Sequence, residues 1–307
     1  MLFRSSAAWW SKNGDKVNKE FFMHKKPRTN CSYNPKLVKE DGSMSEDVSE
    51  ILEAVTSHYQ ELLSDNYNIH EQPALIEYVL EGMQHKISDT AQANLSRPLL
   101  EEEVVDALVG ICRTSCPGSD GLSSDFFEKF WDVIKVDVLK EAWDVGCFPA
   151  QFQEGMIFLI PKVQGVITDA RQWRPITLLN TIYKIFANIL AKRVKPYLHV
   201  LIHVGKTGFM ENRCIIDNVL TFWEAIALAK KTKQHIACLM LDFEKAYDRV
   251  QWPFLDKVME GLGVPLKWRS AVLALYKGSS SRVLVTGHRG PSIPLRTSVR
   301  QGCLMAP

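Results

Sequence analysis

Residues 235–252 read "HIACLMLDFEKAYDRVQW". The first part, "HIACLML", is a continuous apolar run, the pattern of a strand buried on both faces. It ends on Asp242, and a helix-prone acidic and aromatic segment follows. A carboxylate at the C-terminal end of a buried strand projects past the sheet edge, where it is placed to hold a divalent cation such as Mg²⁺. The backbone carbonyl of Phe243 offers a second oxygen. Tyr247, about one helical turn further, is placed to floor a sugar-binding pocket. Strand, aspartate, helix is equally the pattern of ordinary N-capping, which contributes about 0.5–2 kcal/mol. Spacing alone does not choose between the two. Asp248 is expected on the surface of the helix.

Outward from this stretch the chain alternates helical and extended patterns. In "SEDVSEILEAVTSHYQELLSD", Val48, Ile51, Leu52, Val55, Tyr59 and Leu62 recur at helical spacing. Residues 64–100 are acidic and weakly patterned, as a linker with one helix. "LLEEEVVDALVGIC" is a short helix with an acidic first turn. "SCPGSDGLSSDFFEKFW" carries two turn signals. Ser123 or Ser124 then caps a helix that runs to about Val145. "MIFLIPK" is a short strand ending in Lys162, and "ARQWRPITLL" a second strand or a loop. "NTIYKIFANILAKRVKPYL" is an amphipathic helix with Ile182, Ile185, Phe186, Ile189 and Leu190 on its apolar face, stopped or kinked at Pro196. "CIIDNVLTFWEAIALAKKTK", "PFLDKVMEGLG" and "WRSAVLALYKG" are further helices. "RVLVTGHRGPSIPLRT" is a β-hairpin.

The 307 residues are 46% hydrophobic and 23% charged, enough to bury a sizeable core and unlike a disordered chain. No apolar run is long enough to span a bilayer, and no signal-peptide core is present. No membrane partner and an intracellular location, nucleus or cytoplasm, are expected. The seven cysteines are odd in number and scattered, which predicts reduced thiols. Cys112 and Cys116 lack a second ligand pair for zinc. The formal net charge of +2 hides an asymmetry: residues 1–160 hold 15 Lys and Arg against 26 Asp and Glu, and residues 161–307 hold 22 against 9. A basic half suits a polyanion such as nucleic acid, and equally an acidic partner half of the same chain. Lys162 and Arg174 flank a loop where a triphosphate would be met, although exposed charges are more often simply solvated. Trp173, Trp252 and Trp268 are stacking platforms for bases or, more commonly, core residues.

Several segments agree in order and spacing with one family. "SCPGSDGLSSDFFEKFW", "MIFLIPK", "WRPITLLNTIYKIFANILAKRV", "TGFMENRCIIDNV", "LMLDFEKAYDRVQWPFL" and "VRQGCLMAP" together make the chain resemble the reverse transcriptase of LINE-type (non-LTR) retrotransposons, particularly plant-like ones. "WWSKNGDKVNKEFF" resembles the region between the endonuclease and polymerase domains of such elements. The resemblance implies an α+β fold of the right-hand polymerase type: fingers plus an incomplete palm, a mostly helical N-terminal region and no thumb. It implies a helical linker over residues 1–95 and a partial polymerase domain over 96–307, with fingers at about 96–234 and palm at about 235–307. Asp242 corresponds to the first palm carboxylate and Phe243 to a carbonyl ligand of Mg²⁺. Tyr247 corresponds to the aromatic that packs under the sugar. Arg174 and Lys162 face the incoming triphosphate, Gln301 and Gly302 belong to the nucleotide pocket, and Arg213 touches nucleic acid.

The implied partners are an RNA template, a DNA primer and deoxynucleoside triphosphates. The family's aromatic-Ala-Asp-Asp turn, which supplies two further carboxylates, is expected after Gly302 but does not occur in the sequence. Ser298 stands where a glycine is usual, Leu304 where a proline is usual, and Lys206 where glutamine is common. The expectation is therefore a polymerase piece inactive as this chain, with a non-catalytic nucleic-acid-binding remnant as the alternative. A phosphatase-like aspartyl nucleophile at Asp242 would want an aspartate where Glu244 stands.

Overall fold

A computed structural model describes residues 36–38, 43–64, 73–83, 85–111, 115–134, 137–162 and 172–306. The basic, aromatic N-terminal stretch, Cys31 and Cys112 lie outside these residues. The chain forms two compact units: one comprises Asn34–Tyr197 with Glu244–Pro307, and the other includes Leu198–Phe243. In chain order the elements are β1 (Leu37–Val38), β2 (Met44–Ser45), α1 (Val48–Leu63), α2 (Pro73–Glu81), α3 (Asp89–Ser96), α4 (Glu101–Val109), α5 (Ser124–Ile134), α6 (Asp137–Val145), α7 (Ala150–Gln153), β3 (Glu154–Pro161) and β4 (Trp173–Leu178). There follow α8 (Thr181–Val194), α9 (Leu198–Leu201), α10 (Ile215–Thr232), α11 (Trp252–Gly261), α12 (Leu266–Ala274), β5 (Ser280–Val285) and β6 (His288–Pro294). The mixed helix and sheet content is that of an α+β fold. The acidic stretch expected to hold one helix holds two, α2 and α3.

The larger unit is built on a four-stranded sheet in the order β4-β3-β5-β6. β3 and β4 pair antiparallel, β3 and β5 parallel, and β5 and β6 antiparallel. Val285 pairs with His288, so the hairpin turn is two residues, Thr286 and Gly287, both at positive φ (46° and 88°). That turn twists the strands in their preferred sense. β5 alternates buried and half-buried positions, as a strand with one covered face must.

α1 provides the cover. Asp47 caps it, its Oδ1 accepting from the backbone N–H of Ser49 (2.8 Å) and Glu50 (3.1 Å). The helical stripe expected from the sequence then places Ile51, Val55, Tyr59 and Leu63 against Ile157, Val283, Val285, Ile293 and Leu295. Each such side chain contributes roughly 1.5–3 kcal/mol through burial. Helix and sheet approach closely at Gly290, where an added Cβ would lie 2.9 Å from Thr56 Oγ1.

A second, helical core surrounds α8. Tyr183, Ile185, Phe186 and Leu190 are fully buried there, with Phe148 packed on both Tyr183 and Phe186. Trp173 and Trp268 are buried as well, so both fill the interior. Two cations on α8 are also buried, and each is satisfied. Lys184 Nζ donates to Ser115 Oγ (3.1 Å) and the Cys116 carbonyl (2.6 Å), holding the loop that leads into "PGSDG". Arg193 donates to both carboxylate oxygens of Glu103 (3.0 and 2.7 Å) and to the Arg97 and Pro98 carbonyls (2.8 Å each). Its guanidinium also lies 4.5 Å from the centre of the Trp143 ring. Pro196 ends α8 in a 3₁₀ turn, as expected.

In the other unit the expected helix forms as α10. Its N-terminal half leaves Ile215, Ile216, Val219, Leu220 and Trp223 exposed on one side. The strand expected over residues 235–241 does not form: the stretch has no regular structure, and Leu239, Met240 and Leu241 are 83%, 84% and 71% exposed. A strand exists only through hydrogen bonds to neighbours. Among the described residues the sheet pairs only β4, β3, β5 and β6, and nothing pairs with 235–241.

Candidate functional site

The segment after Glu244 is a turn, not a helix, until Gln251. Lys245 takes a left-handed conformation (φ 53°), and its carbonyl accepts from the backbone N–H of Asp248 (2.9 Å) and Arg249 (3.1 Å). This turn is laced to residues 297–302. Ser298 N–H donates to the Val250 carbonyl and Val299 N–H to the Tyr247 carbonyl, both at 2.9 Å. Gln251 and Thr297 form an antiparallel bridge, and Trp252 Nε1 donates to the Ser298 carbonyl (2.9 Å). From the other side Thr177 N–H of β4 donates to the Gln301 carbonyl (2.8 Å). Tyr247, Gln301 and Gly302 are thereby held in one hydrogen-bonded patch between the turn and β4. Tyr247 and Gln301 are half-buried, while Gly302 is exposed.

Asp248 lies at the centre of this lacing. The sequence suggested a surface position, but the residue is only 4% exposed. The reason is local: the turn at Lys245 replaces a helix and swings Asp248 inward. Its Oδ2 accepts from Gln301 Nε2 (3.3 Å). Burial pushes its pKa up, against the opposing pull of Lys245, Gln301, Ser298 and Lys162. Ser298 itself adopts φ 94°, a region that favours glycine. The serine that departs from the family pattern thus occupies a glycine-like backbone conformation.

Beneath the loop Arg300 is buried. It donates to the carbonyls of Gln153 (2.6 Å) and Leu275 (3.1 Å), and its guanidinium lies 4.5 Å from the centre of the Tyr183 ring. Asp248, Tyr59, Ser281 and Arg300 line a cavity of about 10 Å³. The Tyr59 hydroxyl is raised well above its ordinary pKa by burial and by the charge of Asp248.

Lys162 and Arg174 lie at the end of the β3–β4 ribbon where the chain passes from one strand to the other. Lys162 N–H donates to the Gln172 carbonyl (2.9 Å), Arg174 pairs in register with Ile160, and both side chains are exposed. Lys162 contributes to the field at Asp248, so it lies within electrostatic reach of the laced loop.

Asp242, Phe243 and Arg213 belong to the other unit. Asp242 is exposed and Phe243 is 76% exposed, in the irregular stretch that follows residue 241. Arg213 is committed to its own loop: it donates to the carbonyls of Ile202 (3.0 Å), His203 (2.7 Å) and Lys206 (2.8 Å). Among the described residues no three His, Cys, Asp or Glu side chains converge as a metal site. Asp242 with the Phe243 carbonyl offers one carboxylate, too few donors to make a two-ion Mg²⁺ cage from the described residues.

Two participants were not apparent from the sequence. Asp248 looks like any polar residue in "AYDRV", and only the serine at 298 hinted at an unusual neighbour. Tyr59 appeared as one more apolar-stripe residue of α1, some 190 positions from Asp248 in sequence.

Residues 160–307 match the family described as reverse transcriptase (RNA-dependent DNA polymerase). Over 94% of its length the chain is 30% identical to a 149 kDa protein of transposon TX1 from Xenopus laevis, covering 22% of it. Over 70% of its length it is 25% identical to the retrovirus-related Pol polyprotein of the type-1 retrotransposable element R2 from Nasonia vitripennis, covering 20%. It is also 25% identical, over 67% of its length, to the RNA-directed DNA polymerase of the mobile element jockey from Drosophila melanogaster, covering 23%. The chain spans about a fifth of the length of these relatives. The family match begins at the end of β3 and takes in β4 and the laced loop, and the likeness to transposon proteins runs along most of the chain. On these grounds residues 160–307 belong to the reverse transcriptase family, and the chain as a whole is similar to proteins of non-LTR retrotransposons.

Proposed function

We propose that this chain is the nucleotide- and template-receiving portion of an RNA-directed DNA polymerase. The observation that carries the reading is the lacing of residues 247–251 to 297–302 and β4. It gathers Tyr247, Gln301 and Gly302 in the unit that also carries Lys162 and Arg174. In this reading Lys162 and Arg174 meet the triphosphate, Tyr247 packs under the sugar, and Gln301 and Gly302 border the pocket. Fingers and palm correspond to residues of about 96–234 and 235–307. Asp242 contributes a carboxylate toward Mg²⁺, whose chemistry in the family is stabilisation of the attacking and leaving oxygens of phosphoryl transfer. RNA template, DNA primer and deoxynucleoside triphosphates are the partners.

The chain alone holds nucleic acid without extending it. Supporting this second part are the single candidate carboxylate and the excess of Lys and Arg in residues 161–307. The test is equilibrium binding of Mg–dTTP and of an RNA–DNA template–primer. Nucleic-acid affinity should fall steeply with salt. Nucleotide affinity should fall in Arg174→Ala, and Tyr247→Ala should weaken the preference for dTTP over the ribonucleotide. Salt-independent binding, or none, would remove the reading.

A further inference from the structure

Asp248 is the one carboxylate buried in the laced loop, and nothing in the family resemblance gives it a task. Every neighbouring element presents a group toward it. Lys245 comes from its own turn, Ser298 and Gln301 from the 297–302 loop, Lys162 from the end of β3, and Tyr59 from α1. The adjoining cavity of about 10 Å³ is no larger than one water needs. Asp248 is only 4% exposed, so its effect on a bound nucleotide would pass through a neighbouring side chain. What it does touch is the side-chain amide of Gln301, which is half exposed.

An amide has two ends of opposite character: Nε2 donates and Oε1 accepts. An unrestrained glutamine presents either end to a ligand. A carboxylate accepts only, so it draws Nε2 inward and leaves Oε1 to meet a ligand donor such as a sugar hydroxyl.

We propose that Asp248 is a positioning residue that fixes which end of the Gln301 amide faces the pocket. The Thr177–Gln301 backbone bond holds the main chain of Gln301 to β4, and Asp248 then sets the side chain. Ser298, in its glycine-like conformation, lines the same small cavity as the carboxylate. The consequence for ligand recognition rests on the nucleotide reading of Gln301 given above; the clamp itself does not.

The experiment is solvent exchange of the Gln301 side-chain amide in the full chain, labelled with ¹⁵N-glutamine. The resonance is assigned by its disappearance in Gln301→Glu. In the unaltered protein, one Nε2 proton should exchange at least about tenfold more slowly than the other, as expected for a bond to a charged acceptor. Two equally fast protons overturn the proposal, with no variant needed. Asp248→Asn, whose amide offers a donor as well as an acceptor, should narrow the difference between the two protons. Asp248→Ala should lose it while backbone exchange in β3 and β5 stays slow. Retention of the full difference in Asp248→Ala with the sheet intact overturns the proposal.

Adding Mg–dTTP separates the two readings. A nucleotide-induced shift of Gln301, with dTTP affinity at least about tenfold lower in Asp248→Ala than in the unaltered protein, supports both. A slow proton with no nucleotide-induced shift supports the clamp and overturns only the nucleotide role of Gln301.

Discussion

At Gly302 the backbone sits at φ 107°, and a Cβ there would lie 2.6 Å from the Thr177 carbonyl oxygen. Gly287 has a similar φ of 88° but open space around it. Gly287→Ala should therefore cost only the conformational penalty of about 1–2 kcal/mol. Gly302→Ala should cost more, because β4 must also move; urea unfolding of both variants checks the order. Charge gives two predictions of opposite sign. Burial raises the pKa of Asp248, so the folded protein binds that proton more tightly than the unfolded chain. The contribution of Asp248 to stability thus declines as pH rises from the unfolded value through the folded one. Asp248→Asn should gain stability relative to wild type across that window, as read from melting temperatures at successive pH. Burial raises the Glu103 carboxyl too, but Arg193, the Leu100 N–H and Arg97 outweigh it and hold the pKa low. Its contribution is present above the unfolded value and is lost as pH falls through the folded one. Glu103→Ala, which strands the buried Arg193, should cost about 3–5 kcal/mol near neutrality. At this scale the sequence was partly legible. "RQG" announced a tight loop, and the structure gives Gly302 a steric reason. Asp248 stayed hidden because a buried and a surface aspartate have the same local neighbours, and what buries it comes from residues 50 and 190 positions away.

Among the elements, α1 was the easiest to foresee, since its apolar stripe and the aspartate before it are local properties. Its partner was not legible, because β5 and β6 lie more than 200 residues later. Asp47→Ala removes the acceptor for two backbone N–H groups and should lower stability by about 1 kcal/mol. The failed strand at 235–241 teaches the converse. A continuous apolar run predicts burial in a sheet, but a strand also needs a neighbour, and apolar content says nothing about which residues supply one. The helix expected immediately after Asp242 failed for a related reason: the lacing to 297–302 captures the backbone groups that a helix would have used. With Leu239 and Met240 in solvent, Leu239→Lys together with Met240→Lys should leave the melting temperature unchanged while lowering the binding of an apolar dye.

For the whole molecule, family membership emerged from the order of many short motifs, none of which was decisive alone. Activity is a separate matter. Primer extension on an RNA template with Mg²⁺ is expected to give no product from this chain, because one candidate carboxylate does not make a two-ion centre. Product that vanishes in Asp242→Ala would refute that expectation. The parallel pairing of β3 with β5 has a further consequence, for synthesis. Glu154 pairs with Ser280, so the sheet joins segments separated by most of the second half of the chain. α1, made early, lies against β5 and β6, made late. Chain emerges from the ribosome at about 5–20 residues per second, and domains generally fold as units. For many seconds Ile51, Val55 and Tyr59 have been translated while the strands that bury them have not. During that interval the nascent chain offers its stickiest face to whatever is nearby, and the yield of folded protein should depend on the chaperones that meet it.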